Sequence, residues 1–151
     1  MEKIGIIIPA YNEEENIGNL VDAIKSNIKN SEIYVIDDSI NQETGKILKN
    51  RNSVNYFHRG KKLGRGTAVI FGLENALKKE YINLFIEMDA DFSHDPNDLI
   101  RLYDACKNQS GDLAIGSRYV KGVNIVNWPM SRLLMSFFAS KYVKLITRMP
   151  I

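Results

Sequence analysis

Five short apolar runs are spread along the chain, at residues 4–8, 32–37, 54–58, 82–89 and 112–117. Each is rich in Ile, Val, Tyr or Phe and too short for a buried helix, so each reads as a strand. The stretches between them carry helical periodicity. Ile17, Leu20, Val21 and Ile24 form one apolar face; Ala68, Val69, Phe71, Gly72, Leu73, Ala76 and Leu77 form another; Leu99, Leu102 and Tyr103 a third. Residues 44–49 read as a short helix and 130–148 as a final one. Asn12 and Glu15 have the spacing of a capping box, with Asn12 as the helix cap, and Asp95 caps a helix that opens at Pro96. Strictly alternating strand and helix predicts an α/β fold: a mostly parallel, Rossmann-like sheet with helices on both faces.

In such a sheet ligands bind at the carboxyl ends of the strands. Four polar clusters follow strands directly here: Pro9-Ala10-Tyr11, Asp37-Asp38, Asp89-Ala90-Asp91 and Gly116-Ser117-Arg118. They come from distant parts of the chain, yet the fold class brings them to one edge.

The rest of the composition narrows the function. The chain has 151 residues, about one domain, with 44% hydrophobic and 25% charged residues. Its net charge of +2 gives no bulk electrostatic case for nucleic acid. Cys106 is the single cysteine, which excludes an internal disulfide framework and fits a reducing compartment. The apolar run at the N-terminus is broken by Pro9 and Asn12, unlike a signal peptide, and no run has the ~18–20 apolar residues of a membrane span. The expected location is the cytoplasm, peripheral to the cytoplasmic face of a membrane.

Asp89 and Asp91, separated by one residue as the chain leaves a strand, can turn two hard oxygen ligands into one cleft. That chemistry suits Mg²⁺ or Mn²⁺, which keep waters and take further ligands from phosphates. Ser93 can assist through its hydroxyl. An acid after the second strand commonly meets ribose, which points to Asp38, with Asp37 the more structural of the two. The loop "KKLGRGTA" (61–68) brings basic side chains and two glycines to a helix N-terminus, a setting that favours an anion, although it is not a Walker A loop. Arg118 has the planar fork of a phosphate clamp. His58 and His94 lack any metal-ligand spacing. Residues 129–148 alternate Leu134, Phe137, Phe138, Leu145 and Ile146 with Arg132, Lys141, Lys144 and Arg148, and are a candidate acceptor- or membrane-facing helix.

Taken together, "IIIPAYNEEENI", "VIDDS", "KKLGRGTA", "EMDADFSHDP" and "IGSRYVKGVNIVNWPMSR" resemble the family-2 glycosyltransferases of GT-A fold, and within them the dolichol-phosphate mannosyltransferase branch, over residues 4 to about 150. The resemblance implies a single GT-A nucleotide-sugar-binding catalytic domain over 1–151. It implies that Pro9, Tyr11, Glu13, Ile36 and Asp38 hold the nucleotide of GDP-mannose, and that Ala90 adds backbone contacts. Asp89, Asp91 and Ser93 would take the metal, with Asp91 and Arg118 the catalytic pair and the diphosphate against Asp89, Asp91 and Arg118. Arg118, Arg132 and Ser136 would receive the acceptor's phosphate.

The implied reaction is metal-dependent, inverting transfer of mannose from GDP-mannose to a polyprenyl (dolichyl) phosphate. A phosphate nucleophile is already anionic, which agrees with the lack of a candidate catalytic histidine. The alternatives are another donor, such as UDP-glucose, or a non-catalytic nucleotide-sugar-binding fragment. Two departures accompany the resemblance. "DDSINQET" keeps Asp37, Asp38 and Thr44 but loses the family's Ser-Pro-Asp-Gly turn. The chain also stops at Ile151, where the family's pattern continues, so a C-terminally truncated domain is expected.

Overall fold

A computed structural model describes residues 3–108, 111–116 and 129–148. Two compact units divide at Tyr103/Asp104, inside one helix. The first unit alternates strand and helix: β1 (Lys3–Ala10), α1 (Ile17–Asn27), β2 (Ser31–Asp37), α2 (Glu43–Leu48), β3 (Val54–His58), α3 (Arg65–Ala76) and β4 (Ile82–Glu87). A 3₁₀ turn, Pro96–Asp98, then leads into α4 (Leu99–Asn108). The Asp95 carboxylate accepts the Asn97 N–H as the expected cap of that turn.

The four strands are all parallel, in the order β3-β2-β1-β4. β1 has its sequence successor on one side and β4 on the other. The order therefore reverses between β1 and β4, and a crevice at their carboxyl ends is the expected ligand position. Two-residue periodicity sorts β1 and β2 onto two faces. Ile4, Ile6, Ile8, Ile33 and Val35 pack with Ile17, Leu20, Val21 and Ile24 of α1 and with Leu99. Ile7, Tyr34 and Ile36 pack on the opposite face with Ala68 and Ala76 of α3. These are the helices on both faces that the alternation predicts.

β1 runs through Pro9 instead of ending before it. Ile7 accepts from Met88 on the β4 side and Ala10 from Asp38 on the β2 side. Alternation therefore turns Pro9 towards β4, where the ladder has already ended at Ile7–Glu87, and no sheet bond is lost.

Two expectations are corrected. Asn12 is not a helix cap: α1 opens at Ile17, with Asn16 before it. Asn12 instead adopts a left-handed conformation, φ 56°, and gives its N–H to Ser39 Oγ at 2.8 Å. A tertiary bond has taken the group that a local cap would have used. Residues 112–116 carry no strand either. Leu113 and Ile115 are exposed, so the apolar pattern of this run is not matched by a sheet neighbour within its described part. In the second unit α5 (Met130–Thr147) forms as expected, with no buried residue along its length.

Candidate active site

At the carboxyl end of β2, Asp37 and Asp38 turn to different partners. Asp37 is fully buried. Its Oδ1 accepts the Ser39 N–H at 2.9 Å and the Ser39 hydroxyl at 2.5 Å, and its Oδ2 accepts the Tyr56 hydroxyl at 2.8 Å. Burial, joined by that contact, pushes the Tyr56 phenol up. Ser39 also holds the Asn12 N–H, and its carbonyl accepts from His58 Nε2 at 2.8 Å, so Asp37 organises the ends of β1, β2 and β3 at once.

Asp38 serves the basic loop. Its Oδ1 accepts Arg59 Nε at 2.5 Å, and its Oδ2 accepts the backbone N–H groups of Leu63 (2.8 Å) and Gly64 (3.2 Å). Thr67 Oγ1, at 3.2 Å, is a second partner of Arg59. Gly64, with φ 96°, supplies the backbone turn that carries the loop into α3. Lys62 lies over the Tyr11 ring, 4.4 Å from its centroid.

At the end of β4, Met88 continues the ladder by donating to Ile7. Glu87 and Asp89 are two apart on the strand's exit and so share one side. Arg65, the first residue of α3, reaches both: Nε to Asp89 Oδ1 at 2.8 Å and a terminal nitrogen to Glu87 Oε1 at 2.7 Å. The Asp89 N–H donates to His94 Nδ1 at 3.1 Å, so His94 has a role in shaping this turn. Asp91 Oδ1 accepts the Ser93 N–H at 2.9 Å. Bonding from the Ser93 side chain, against the opposing pull of burial, holds the Asp91 carboxyl below its ordinary value.

Among these groups lies a cleft of about 280 Å³, walled by Pro9, Ala10, Tyr11, Glu13, Asp38, Lys62, Gly64, Arg65, Ala68, Asp89, Ala90 and Asp91. Seven of the residues picked out from sequence meet there: Pro9, Tyr11, Glu13, Asp38, Asp89, Ala90 and Asp91. Ile36 is not on this wall; strand alternation turns it under α3, fully buried. Ser93 is exposed beside Asp91 and off the wall. Arg132 and Ser136 stand four apart on one face of α5, in the second unit. Arg118 lies outside the described residues.

Lys62, Arg65 and Glu87 belong to the site although the sequence did not single them out. The loop was legible as basic, but which cation meets which acid depends on the turn at Gly64. Among the described residues no three His, Cys, Asp or Glu side chains stand together as a metal-ligand set. Asp89 and Asp91 nevertheless suit Mg²⁺ or Mn²⁺: two hard carboxylates at the open side of a cleft leave positions for water and phosphate.

The sequence model of glycosyl transferase family 2 matches residues 5–150 of this chain. The chain belongs to glycosyl transferase family 2. Among curated relatives it is 39% identical to a polyprenol monophosphomannose synthase of Mycolicibacterium smegmatis, over 93% of this chain and 54% of the relative. It is 40% identical to a dolichol-phosphate mannosyltransferase of Pyrococcus furiosus, over 89% of this chain and 38% of that one. An undecaprenyl-phosphate mannosyltransferase of Micrococcus luteus is 38% identical, over 93% and 58%. The chain thus spans about half the length of these relatives. Crystal structures of S. aureus TarS 1-349 share the GT-A fold at 18% identity. One superposes with a TM-score of 0.52, over 72% of this chain and 33% of that one. The other, in complex with UDP, gives 0.59, over 85% and 43%.

Proposed function

We propose that this chain carries the nucleotide-sugar site of an inverting glycosyltransferase that moves mannose from GDP-mannose to a polyprenyl phosphate. The observation that carries the reading is the placement of Asp89 and Asp91 at the β1/β4 crevice, in one cleft with Tyr11 and beside the basic loop. The relatives' names, each a polyprenyl-phosphate mannose enzyme, supply the sugar and the acceptor class.

Tyr11 offers an aromatic face and Glu13 a carboxylate to the base and ribose, in the same cleft as Asp38. Asp89 and Asp91 would hold Mg²⁺ or Mn²⁺, which when bound offsets the charge of the departing nucleoside diphosphate. Arg65 and Lys62 bring positive charge to the same wall. Since the attacking phosphate is an anion, the chain's task is to orient it and to offset repulsion between two anions, and no general base is required. By resemblance, Arg118, Arg132 and Ser136 take that phosphate. The exposed Leu134, Phe137, Phe138, Leu145 and Ile146 of α5 offer an apolar surface to the lipid chain, and no helix among the described residues is long and apolar enough to cross a membrane.

The test is a calorimetric titration with GDP, UDP and their sugars, with and without Mn²⁺. We expect GDP to bind selectively and Mn²⁺ to strengthen it, with Asp91→Ala losing most of the Mn²⁺ enhancement, since one of two charged ligands is gone. UDP selectivity would move the reading to another donor. Equal binding with and without Mn²⁺ would remove the metal from it.

A further inference from the structure

Two arginine–aspartate pairs flank the Gly64 turn, and they differ in one physical respect. Arg59 and Asp38 are deeply enclosed, their side chains 11% and 6% exposed. Arg65 and its acids are open, with side-chain exposure of 56% for Arg65, 34% for Asp89 and 41% for Glu87. An enclosed pair that also holds two backbone N–H groups is a fixed post. Open pairs of this kind contribute little, because water and salt screen them. Arg65 is therefore a weakly held group on a strongly held base.

Its target matters as much as its weakness. Arg65 Nε bonds Asp89 Oδ1, the oxygen of a predicted cation ligand, and its terminal nitrogen holds Glu87 across the buried Met88. A guanidinium at that oxygen opposes a divalent cation there, because the two like charges compete for one carboxylate. Once released, Arg65 remains on the wall of the cleft, where an anionic ligand would lie.

Resting on the reading of the site above, we propose that Arg65 is the internal counter-ion of the acidic pair and exchanges partners on loading. It holds Asp89 and Glu87 while no divalent cation is present. When the cation takes Asp89, Arg65 turns its fork to the diphosphate of the nucleotide. Cation and nucleoside diphosphate then bind with positive coupling, since each removes a cost of binding the other. A guanidinium suits this role because its planar fork fits carboxylate and phosphate oxygens alike.

The experiment compares the wild type with Arg65→Met and Arg65→Lys. Free Mn²⁺ is followed by electron paramagnetic resonance, and GDP binding without metal by calorimetry. In the absence of nucleotide, Arg65→Met should bind Mn²⁺ about five- to tenfold tighter, the equivalent of one or two screened pairs no longer competing. It should bind metal-free GDP several-fold more weakly, and the factor by which GDP tightens Mn²⁺ should shrink. Arg65→Lys, which keeps the charge but loses the fork, should fall between, and it carries the comparison should the Met variant melt early.

Mn²⁺ affinity unchanged or weakened in both variants, with the wild type binding normally, overturns the exchange and leaves the metal site standing. No Mn²⁺ uptake by any of the three proteins overturns the metal site, and the exchange with it. A Lys variant indistinguishable from wild type shows that charge alone acts, which overturns the exchange of the fork.

Discussion

Asp37 sends its carboxylate to Ser39 and Tyr56, whereas Asp38 sends its own to Arg59 and the Leu63 and Gly64 backbone. Asp38 both faces the cleft and fixes the loop that supplies the cleft's cations. Asp38→Asn keeps the shape but removes the anion, and it can turn an amide N–H₂ towards N–H groups that need an acceptor. Arg59, which is largely enclosed, would lose its counter-charge. We expect a loss of about 1.5–3 kcal/mol in stability, the range for hydrogen bonds to a charged group, read by urea unfolding. GDP affinity should fall in parallel, because Lys62 and Arg65 lose their mounting. A variant that keeps full stability but loses GDP would mean that Asp38 acts on ligand alone. The sequence pointed to Asp38, but not to this second duty. Arg59 is twenty-one residues away, and only the β2–β3 pairing brings it back, while the turn from Gly60 to Gly64 returns the Leu63 and Gly64 N–H groups.

The elements were more legible than their ends. All four strands of the sheet and the helices between them follow from apolar runs and periodicity, since both signals come from burial. The start of α1 did not follow, because Ser39 claimed the Asn12 N–H. The run at 112–116 did not either, because a strand needs a ladder partner that its own residues cannot specify. The register of α3 on the sheet is another feature that periodicity leaves open. Gly72 stood in its apolar face by pattern alone, yet a Cβ there would lie 2.6 Å from Ile7 Cγ2 and 2.7 Å from Ile36 Cδ1. The helix touches the sheet at this point. Alanine is the better helix former by ~1 kcal/mol, but overpacking a filled core costs ~1–3 kcal/mol. We therefore expect Gly72→Ala to be net destabilising by about 1 kcal/mol, on the balance of those two ranges. Chemical denaturation would show it, and a stabilised variant would mean that α3 can lift away. Lifting α3 would also displace Arg65 at its N-terminus, so Mn²⁺ and GDP binding should change with it.

Across the first unit, the two ends of the parallel sheet carry different burdens. The carboxyl ends hold the cleft. At the amino ends, Glu32 is 8% exposed and accepts from Lys3 Nζ at 2.8 Å, Tyr81 at 2.8 Å and Tyr34 at 3.0 Å, tying the starts of β1 and β2 to the entry of β4. Burial alone would push this carboxyl up. The bonds from Lys3, Tyr81 and Tyr34 outweigh it and hold Glu32 at about 2, against an ordinary 4.5. A carboxyl with a depressed value in the folded state releases its proton more readily there than in the unfolded chain. Its stabilisation is thus complete above about pH 4.5 and is lost as the pH falls through that value towards 2. Glu32→Gln should accordingly be less stable than wild type at pH 7, with the gap closing between pH 4.5 and 2. Urea unfolding across that window measures it, and a gap that stays constant down to pH 2 would rule out Glu32 as its source. Because Glu32 lies at the far end of the strands from Asp38, Asp89 and Asp91, the same variant at pH 7 should bind GDP and Mn²⁺ as the wild type does. A change in either affinity would mean that the two ends of the sheet are mechanically coupled.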